Sequence, residues 1–277
     1  MSVSQTPNVD PSGVAAIDRM IQSGLIASAD YHETLQSTNS LALQTLRGNL
    51  APDLLPRLFL TDNQTAGRGR HGRTWISETN ALTFSLLVER SKYERKDSTL
   101  ISIAVGVSIA RAIEFSYAPL QTRLKWPNDV YIDGGKVAGI LLETSHTAPQ
   151  NVVIGIGINV NAAPVLPDTD LAATPKSIAQ AVGRNVCRFE LLENIVEQLS
   201  DALVELADSP STLTAEFRKR CWLTGTVVRF QDADAKGNLQ KTGQCVGIND
   251  NGDLMIQTDA GVCHCHSGEV NQVRRDT

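Results

Sequence analysis

Residues 64–75, Gln-Thr-Ala-Gly-Arg-Gly-Arg-His-Gly-Arg-Thr-Trp, place the strongest constraint on how this chain can fold. Gly67, Gly69 and Gly72 alternate there with Arg68, Arg70 and Arg73. Glycine lets the backbone come close to a ligand and take positive φ. Arginine adds a fixed fork of donors suited to carboxylate or phosphate. Leu58-Phe59-Leu60 reads as a short apolar strand that delivers the chain into this loop, and residues 82–88 as the strand that leaves it. A loop so composed is built to close over something small and anionic. It carries little apolar surface of its own, so it is expected to be mobile until that ligand arrives.

The loop sits in an acidic protein. With a formal net charge of −5, the chain lacks the basic excess that broad binding to nucleic acid or membrane surfaces would need. Its 277 residues, 42% apolar and 20% charged, suit one sizeable globular domain plus a small one. No uninterrupted apolar run of about 18 residues predicts a membrane span, and the first residues do not resemble a secretory signal. Five cysteines (187, 221, 245, 263 and 265) form no CxxC pair and imply no disulfide framework. A cytoplasmic protein is expected. Cys263-His264-Cys265-His266 invites a metal reading, but in a strand the cysteines and histidines point to opposite faces. With no second ligand cluster at zinc spacing, a plain strand is the better account.

Residues 1–12 are polar, with two prolines, and read as a disordered start. Val14, Ile17, Met20 and Ile21 predict a short helix ending near Gly24. Ser37-Thr38-Asn39 precede Leu43, Leu46 and Leu50 as a polar cap on an amphipathic helix. Residues 98–115 are apolar on nearly every side and predict a buried helix. Val130-Tyr131-Ile132 and residues 137–142 predict a hairpin through Asp133-Gly134-Gly135. Residues 152–159 form another strand, in which Gly155, Gly157 and Asn159 share a face. That bare face makes a flat floor, for a flat ligand or for a tight packing contact. Phe189, Leu192, Val196, Leu199 and Leu203 mark a long amphipathic helix. After Trp222, strands at 226–230, 244–248, 254–258 and 262–267, with Asp/Asn/Gly turns between them, predict a small antiparallel barrel. The fold class is therefore α/β (α+β), a mixed domain to about residue 222 with a β-barrel module behind it. Three segments result: 1–29 as an extension, 30–222 as the main domain and 223–277 as the barrel.

The Gly-Arg loop is neither a Walker P-loop nor a dinucleotide fingerprint, because the lysine of the first and the following helix of the second are missing. A second polar cluster lies downstream: Lys125-Trp126-Pro127-Asn128-Asp129, then Lys136 just past the hairpin turn. Lys125 lies between Leu124 and Trp126, and Lys136 opens an apolar strand. Two lysines and three arginines around glycine-rich backbone point to a phosphate site. Ser37-Thr38-Asn39 serve equally as a helix cap or as partners for a polar, neutral head group; the residues alone leave both open.

Taken together, residues 67–75, Lys125-Trp126-Pro127-Asn128-Asp129, residues 136–143 and residues 155–161 resemble the bacterial biotin–protein ligases. The resemblance runs in order from about Ser37 to the C-terminus, and four motifs in sequence make it specific. His71 departs from it, standing where many relatives carry a second basic residue. The resemblance implies a mixed-sheet catalytic domain of the biotin/lipoate ligase type and a small C-terminal SH3-like β-barrel. It also implies an enzyme that joins biotin and ATP, with Mg²⁺, into biotinyl-5′-adenylate. Biotin then passes to one lysine of the biotin carboxyl carrier protein of acetyl-CoA carboxylase. By the same resemblance Ser37, Thr38, Asn39, Gln64, Arg68, Gly69, Arg70 and Lys136 bind biotin, and Arg70 and Lys136 are the catalytic pair. Arg73, Lys125, Asn128 and Asn159 go to the nucleotide side, and the magnesium is held mainly through phosphate oxygens.

Many relatives carry an N-terminal winged helix-turn-helix that makes them repressors. Only about 36 residues precede Ser37, so a ligase without DNA binding is expected, and the lack of a long apolar run predicts no membrane partner. Pairing of two subunits through strand edges is left open. A lipoate–protein ligase is the nearest rival, although it is not expected to combine this loop with such a barrel. From another class, residues 67–73 could be an RGG-like nucleic-acid contact, against which stand the acidic charge and the lack of interleaved aromatics.

Overall fold

The structure, a computed structural model, describes residues 2–6, 8–48, 51–78, 80–90, 98–165, 174–231, 240–266, 268 and 270–272. In chain order the first half comprises β1 (Ser2–Gln5), α1 (Pro11–Gln22), β2 (Ser28–Leu35), α2 (Thr38–Thr45), β3 (Arg57–Gln64), β4 (Leu82–Glu89) and α3 (Ser98–Ser116). Then come β5 (Arg123–Lys125), β6 (Asp129–Ile132), β7 (Gly135–Ser145), β8 (Ala148–Ile158), α4 (Ile178–Val182), α5 (Arg188–Asp208) and α6 (Pro210–Arg220). The C-terminal strands are β9 (Val227–Gln231), β10 (Gln240–Ile248), β11 (Leu254–Thr258), β12 (Gly261–Cys265) and β13 (Val270–Gln272).

An eight-stranded mixed sheet runs β1-β2-β3-β4-β8-β7-β6-β5. Its first three strands are parallel and the remaining pairs antiparallel. The β6–β7 hairpin turns through Asp133 and Gly134, at φ 45° and 79°; two positive φ values are what a tight hairpin of this hand needs. The start of the chain departs from the expected disorder. Ser2–Gln5 pair with residues 28–31, and Ile17 and Met20 of α1 lie in the main core. Residues 1–29 thus contribute to the same sheet and core as the strands that follow.

Alternation sorts the side chains of the sheet. Leu82, Phe84, Leu86 and Val88 of β4, with Val152, Ile154, Ile156 and Ile158 of β8, face a core shared with α1, α3 and α5. Burying each large aliphatic side chain contributes about 1.5–3 kcal/mol, so this layer dominates stability. Within α3, residues 99–116 are, by length and composition alone, long and apolar enough to span a membrane. Yet 78% of that stretch is buried in the protein, which makes it a core helix. Arg111 of α3 bonds Glu205 of α5 and Glu216 of α6, and Arg220 joins Glu216 to Glu114. On the opposite face, Ala42 and Leu46 pack over Phe59, Leu87 and Val153 in a second, smaller core. The rest of that face is left to the loop.

The C-terminal strands form an antiparallel sheet ordered β12-β11-β10-β9-β13. Cys263 and Cys265 turn inward and His264 outward along β12, and all five cysteines are free thiols. The buried Trp126 indole donates to the Gly252 carbonyl at 2.9 Å, pinning this unit to the larger one.

Candidate active site

A cavity of about 440 Å³ opens on the loop side of the sheet. Its walls bring together the helix start at Ser37, Thr38 and Asn39, the Gly-Arg loop, and Lys136 at the head of β7. Gln64, Asn128 and Asn159 complete the set. Lys125 alone among the predicted site residues is not part of the wall; it sits half-buried on β5, opposite Asp129.

Ser37 caps α2 as its sequence suggested, its hydroxyl accepting from the Ser40 amide. This short helix thereby starts at the cavity. Gln64 Oε1 accepts from the Thr38 amide at 2.8 Å. The fully buried Ser85 hydroxyl lies 2.7 Å from Thr38 Oγ1 and 2.6 Å from Asn39 Oδ1. Asn39 Nδ2 donates to Glu143 at 2.8 Å and to the Leu141 carbonyl at 3.2 Å. Every polar atom of Asn39 is therefore engaged within the protein, and its amide shapes the pocket. Ser85 and Glu143 were not singled out from the sequence. A signal existed for both: Thr83 and Ser85 are polar residues two apart in an apolar strand, and Glu143 follows Gly139 and Leu141 on one face of β7.

The loop holds its own shape. Gly69 donates to the Arg73 carbonyl at 2.7 Å and Trp75 to the Gly67 carbonyl at 3.0 Å, closing it like a miniature hairpin. His71, at its tip, adopts φ 55°, a left-handed conformation uncommon outside glycine. Arg68 pairs with Glu143, and Arg70 donates to Asn128 Oδ1 at 3.3 Å. Glu143 thus supplies an anion to the loop from within the chain. Asn128 is fixed in turn by donating to the Ile140 carbonyl at 2.9 Å.

The bare face of β8 is a packing platform as well as a floor. A side chain at Gly155 would strike the Asn39 amide at 2.1 Å, and one at Gly157 would strike the Trp75 indole at 2.4 Å. Gly139 and Gly157 are paired across β7 and β8, and the Trp75 ring lies against both. Lys136 Nζ stands 6.0 Å from the Trp75 ring and 2.7 Å from Asp129 Oδ1. Two buried polar atoms of the cavity, Trp75 Nε1 and Asn159 Oδ1, make no hydrogen bond. A buried donor and a buried acceptor left unpaired each cost stability.

The fold and this cavity define a ligase of the biotin/lipoate type: the Biotin/lipoate A/B protein ligase family matches residues 31–159. The chain is 32% identical to the biotin–[acetyl-CoA-carboxylase] ligase of Paracoccus denitrificans, over 81% of this chain and 92% of that protein. It is 30% identical to the bifunctional ligase/repressor BirA of Bacillus subtilis, over 87% of this chain and 72% of that protein. Among solved structures, the biotin protein ligase from Aquifex aeolicus in complex with biotin and ATP matches with a TM-score of 0.75 at 27% identity, covering 89% of this chain and 99% of that one. The chain belongs to the biotin–protein ligase family.

Proposed function

We propose that this protein activates biotin with ATP to biotinyl-5′-adenylate and passes the biotin to a lysine of a biotin carboxyl carrier protein. The observation that carries this reading is one cavity that gathers a neutral polar pocket, an arginine loop and a lysine. The names of the relatives supply the substrates: biotin–[acetyl-CoA-carboxylase] ligase for one, and biotin with ATP for the Aquifex structure.

Adenylation sets a carboxylate against the α-phosphate of ATP, two anions that repel until cations and backbone donors hold them together. In this reading Ser37, Thr38, Asn39 and Gln64, backed by Ser85, receive the biotin ring system. Arg68, Gly69, Arg70 and Lys136 meet the carboxylate and the α-phosphate. A carboxylate oxygen forms the new bond to phosphorus as the bond to the bridging oxygen breaks, and pyrophosphate leaves with that electron pair. Lys136, at the wall beside Trp75, neutralises charge on the reacting phosphate. The base belongs at the Trp75 end of the cavity, with Arg73, Asn128 and Asn159. Lys125 would act on the nucleotide only from behind the wall. Magnesium fits as a passenger on the phosphates: no group of three potential ligands forms a cage among the described residues.

Supplying ATP with biotin, lipoate or neither, and following adenylate and pyrophosphate, tests the reading. Adenylate with biotin alone is expected. Adenylate with lipoate in its place would move the chain to the lipoate ligases, and none with either would end the assignment.

A further inference from the structure

Glu143 reaches residues of the cavity without lining it. Alternation puts it on the face of β7 that carries Gly139 and Leu141; both of those belong to the wall, and Glu143 does not. Immediately beyond it the register of β7 against β8 shifts, so the regular ladder ends at this carboxylate. One of its oxygens, Oε2, has two partners: it accepts from Asn39 Nδ2 at 2.8 Å and pairs with Arg68 Nη2. Asn39 is tied in turn through Oδ1 to the buried Ser85 hydroxyl of β4, 2.6 Å away. A single atom thus joins the start of α2 and the Gly-Arg loop to β7, across 104 and 75 residues of sequence.

The internal bonds of the loop, Gly69 to Arg73 and Trp75 to Gly67, fix its shape and not its place. Side-chain tethers to neighbouring strands set the place: Arg70 to Asn128, and Arg68 to Glu143. The first ends on a neutral amide oxygen at 3.3 Å. The second ends on a carboxylate, and a hydrogen bond between charged partners is the stronger kind. With the Arg68 and Glu143 side chains 41% and 23% exposed, the pair adds little to global stability. What it decides is where the loop lies.

We propose that Glu143 is a positioning residue for biotin binding: its Oε2 latches the Gly-Arg loop, through Arg68, to the Asn39 corner of the neutral pocket. The inference rests on the adenylation reading above and refines it. Arg68 spends its guanidinium on Glu143, and its part in meeting the anions is to hold the loop that carries Arg70. Because Asn39 and Arg68 share one acceptor atom, the pocket for the ring system and the loop over the carboxylate are set together. A loop held this way has less freedom to lose when the ligand arrives, which favours binding. A bystander pair would leave biotin affinity untouched, and a carboxylate that competed with the substrate for Arg68 would weaken it; the latch strengthens it.

Amide exchange of the free chain reads the latch without any ligand. Glu143→Gln keeps an acceptor for Asn39 and removes the charge that holds Arg68. Exchange at residues 67–75 should then speed up about tenfold, with α3 and α5 unchanged. Biotin affinity, titrated without ATP, is the second readout. Glu143→Gln and Arg68→Gln should each raise the dissociation constant about tenfold, the loss of one charge-assisted hydrogen bond. The double variant should do no more than either alone. Arg68→Lys keeps the charge and should stay within about threefold of wild type. The Arg68 side chain is exposed enough for its variants to keep the fold, and they carry the test should Glu143→Gln not fold. A double variant weaker by about a hundredfold, or Arg68→Lys as weak as Arg68→Gln, would overturn the proposal. So would unchanged loop exchange in Glu143→Gln, or biotin binding in it that is unchanged or tighter. A wild type that binds no biotin would bring down the functional reading by itself, and exchange in the free chain would still decide whether Glu143 holds the loop.

Discussion

On one face of the large sheet, α3 and α5 lay apolar side chains against Leu82, Phe84, Ile154 and Ile156, and the charges at their margin are paired. On the other, glycines at 139, 155 and 157 strip the surface bare, and Trp75 Nε1 and Asn159 Oδ1 have no partner. The same strands build both faces, because alternation sends successive side chains to opposite sides. One face is complete within the chain, and the other, in the function proposed above, is completed by a ligand. Stability can therefore be drawn from the helical layer while the cavity keeps groups in positions that folding alone would not favour.

Substitutions on the two faces should then fail differently. Lys136→Ala is expected to have the largest effect. Removing a cation aimed at developing charge costs roughly 2–4 kcal/mol, or about 10²–10³ in rate. Single-turnover adenylate formation should fall by that much while the thermal unfolding profile stays close to wild type. Near-normal adenylation in a folded variant would dismiss Lys136 from the chemistry.

Gly157→Ala should come next. Its new methyl would overlap the Trp75 indole, whose ring atoms lie 2.4–2.7 Å from that point, so the ring must move. If Trp75 forms the base end of the site, the KM for ATP should rise about tenfold or more, the loss of a stacking contact with its hydrogen bond. Biotin affinity, measured by itself, should change little. An equal loss for both substrates would mean that the whole cavity had collapsed.

On the helical face the expected effects are smaller and depend on pH. The hydrogen bond from Arg111 holds the Glu216 carboxyl below the usual carboxylate range, against the opposing pull of burial. A depressed carboxylate contributes stability that is present above its unfolded pKa of about 4.3 and is lost as pH falls through the lower folded value. Glu216→Gln should therefore cost about 1 kcal/mol near neutrality, discounted for partial exposure. The gap to wild type should close below about pH 4. Denaturant midpoints across that range check the sign; a gap that widens in acid would contradict it.

The two faces also differed in how far they could be read from the residues. Strands β4, β7 and β8 and helices α3 and α5 announce themselves through apolar runs and periodicity. β1, Ser-Val-Ser-Gln, and β2, with Asp30, His32 and Glu33, carry no such pattern, because pairing within the sheet edge rather than apolar content makes them strands. Nor does α6 show a clear apolar stripe, and much of its role is to carry Glu216 and Arg220 to the ion network. In the cavity, the Gly-Arg loop, Ser37–Asn39 and Lys136 were visible as chemistry. The partner of Arg68 was not, since Glu143 reaches it from 75 residues away, a distance no local pattern spans. The bare strand was read as a floor for a ligand or for tight packing, and it serves the second purpose through Trp75 and Asn39. Where the loop folds back to lay its tryptophan is a tertiary fact.

Backbone amide exchange, with and without biotin and ATP together, tests most directly the contrast between a finished face and an unfinished one. Protection should rise in the loop at 67–75 and in β7 and β8 around Gly139 and Gly157, while α3 and α5 keep the rates they have in the free protein. Unchanged exchange in the loop, or a gain in protection spread evenly over both faces, would contradict it.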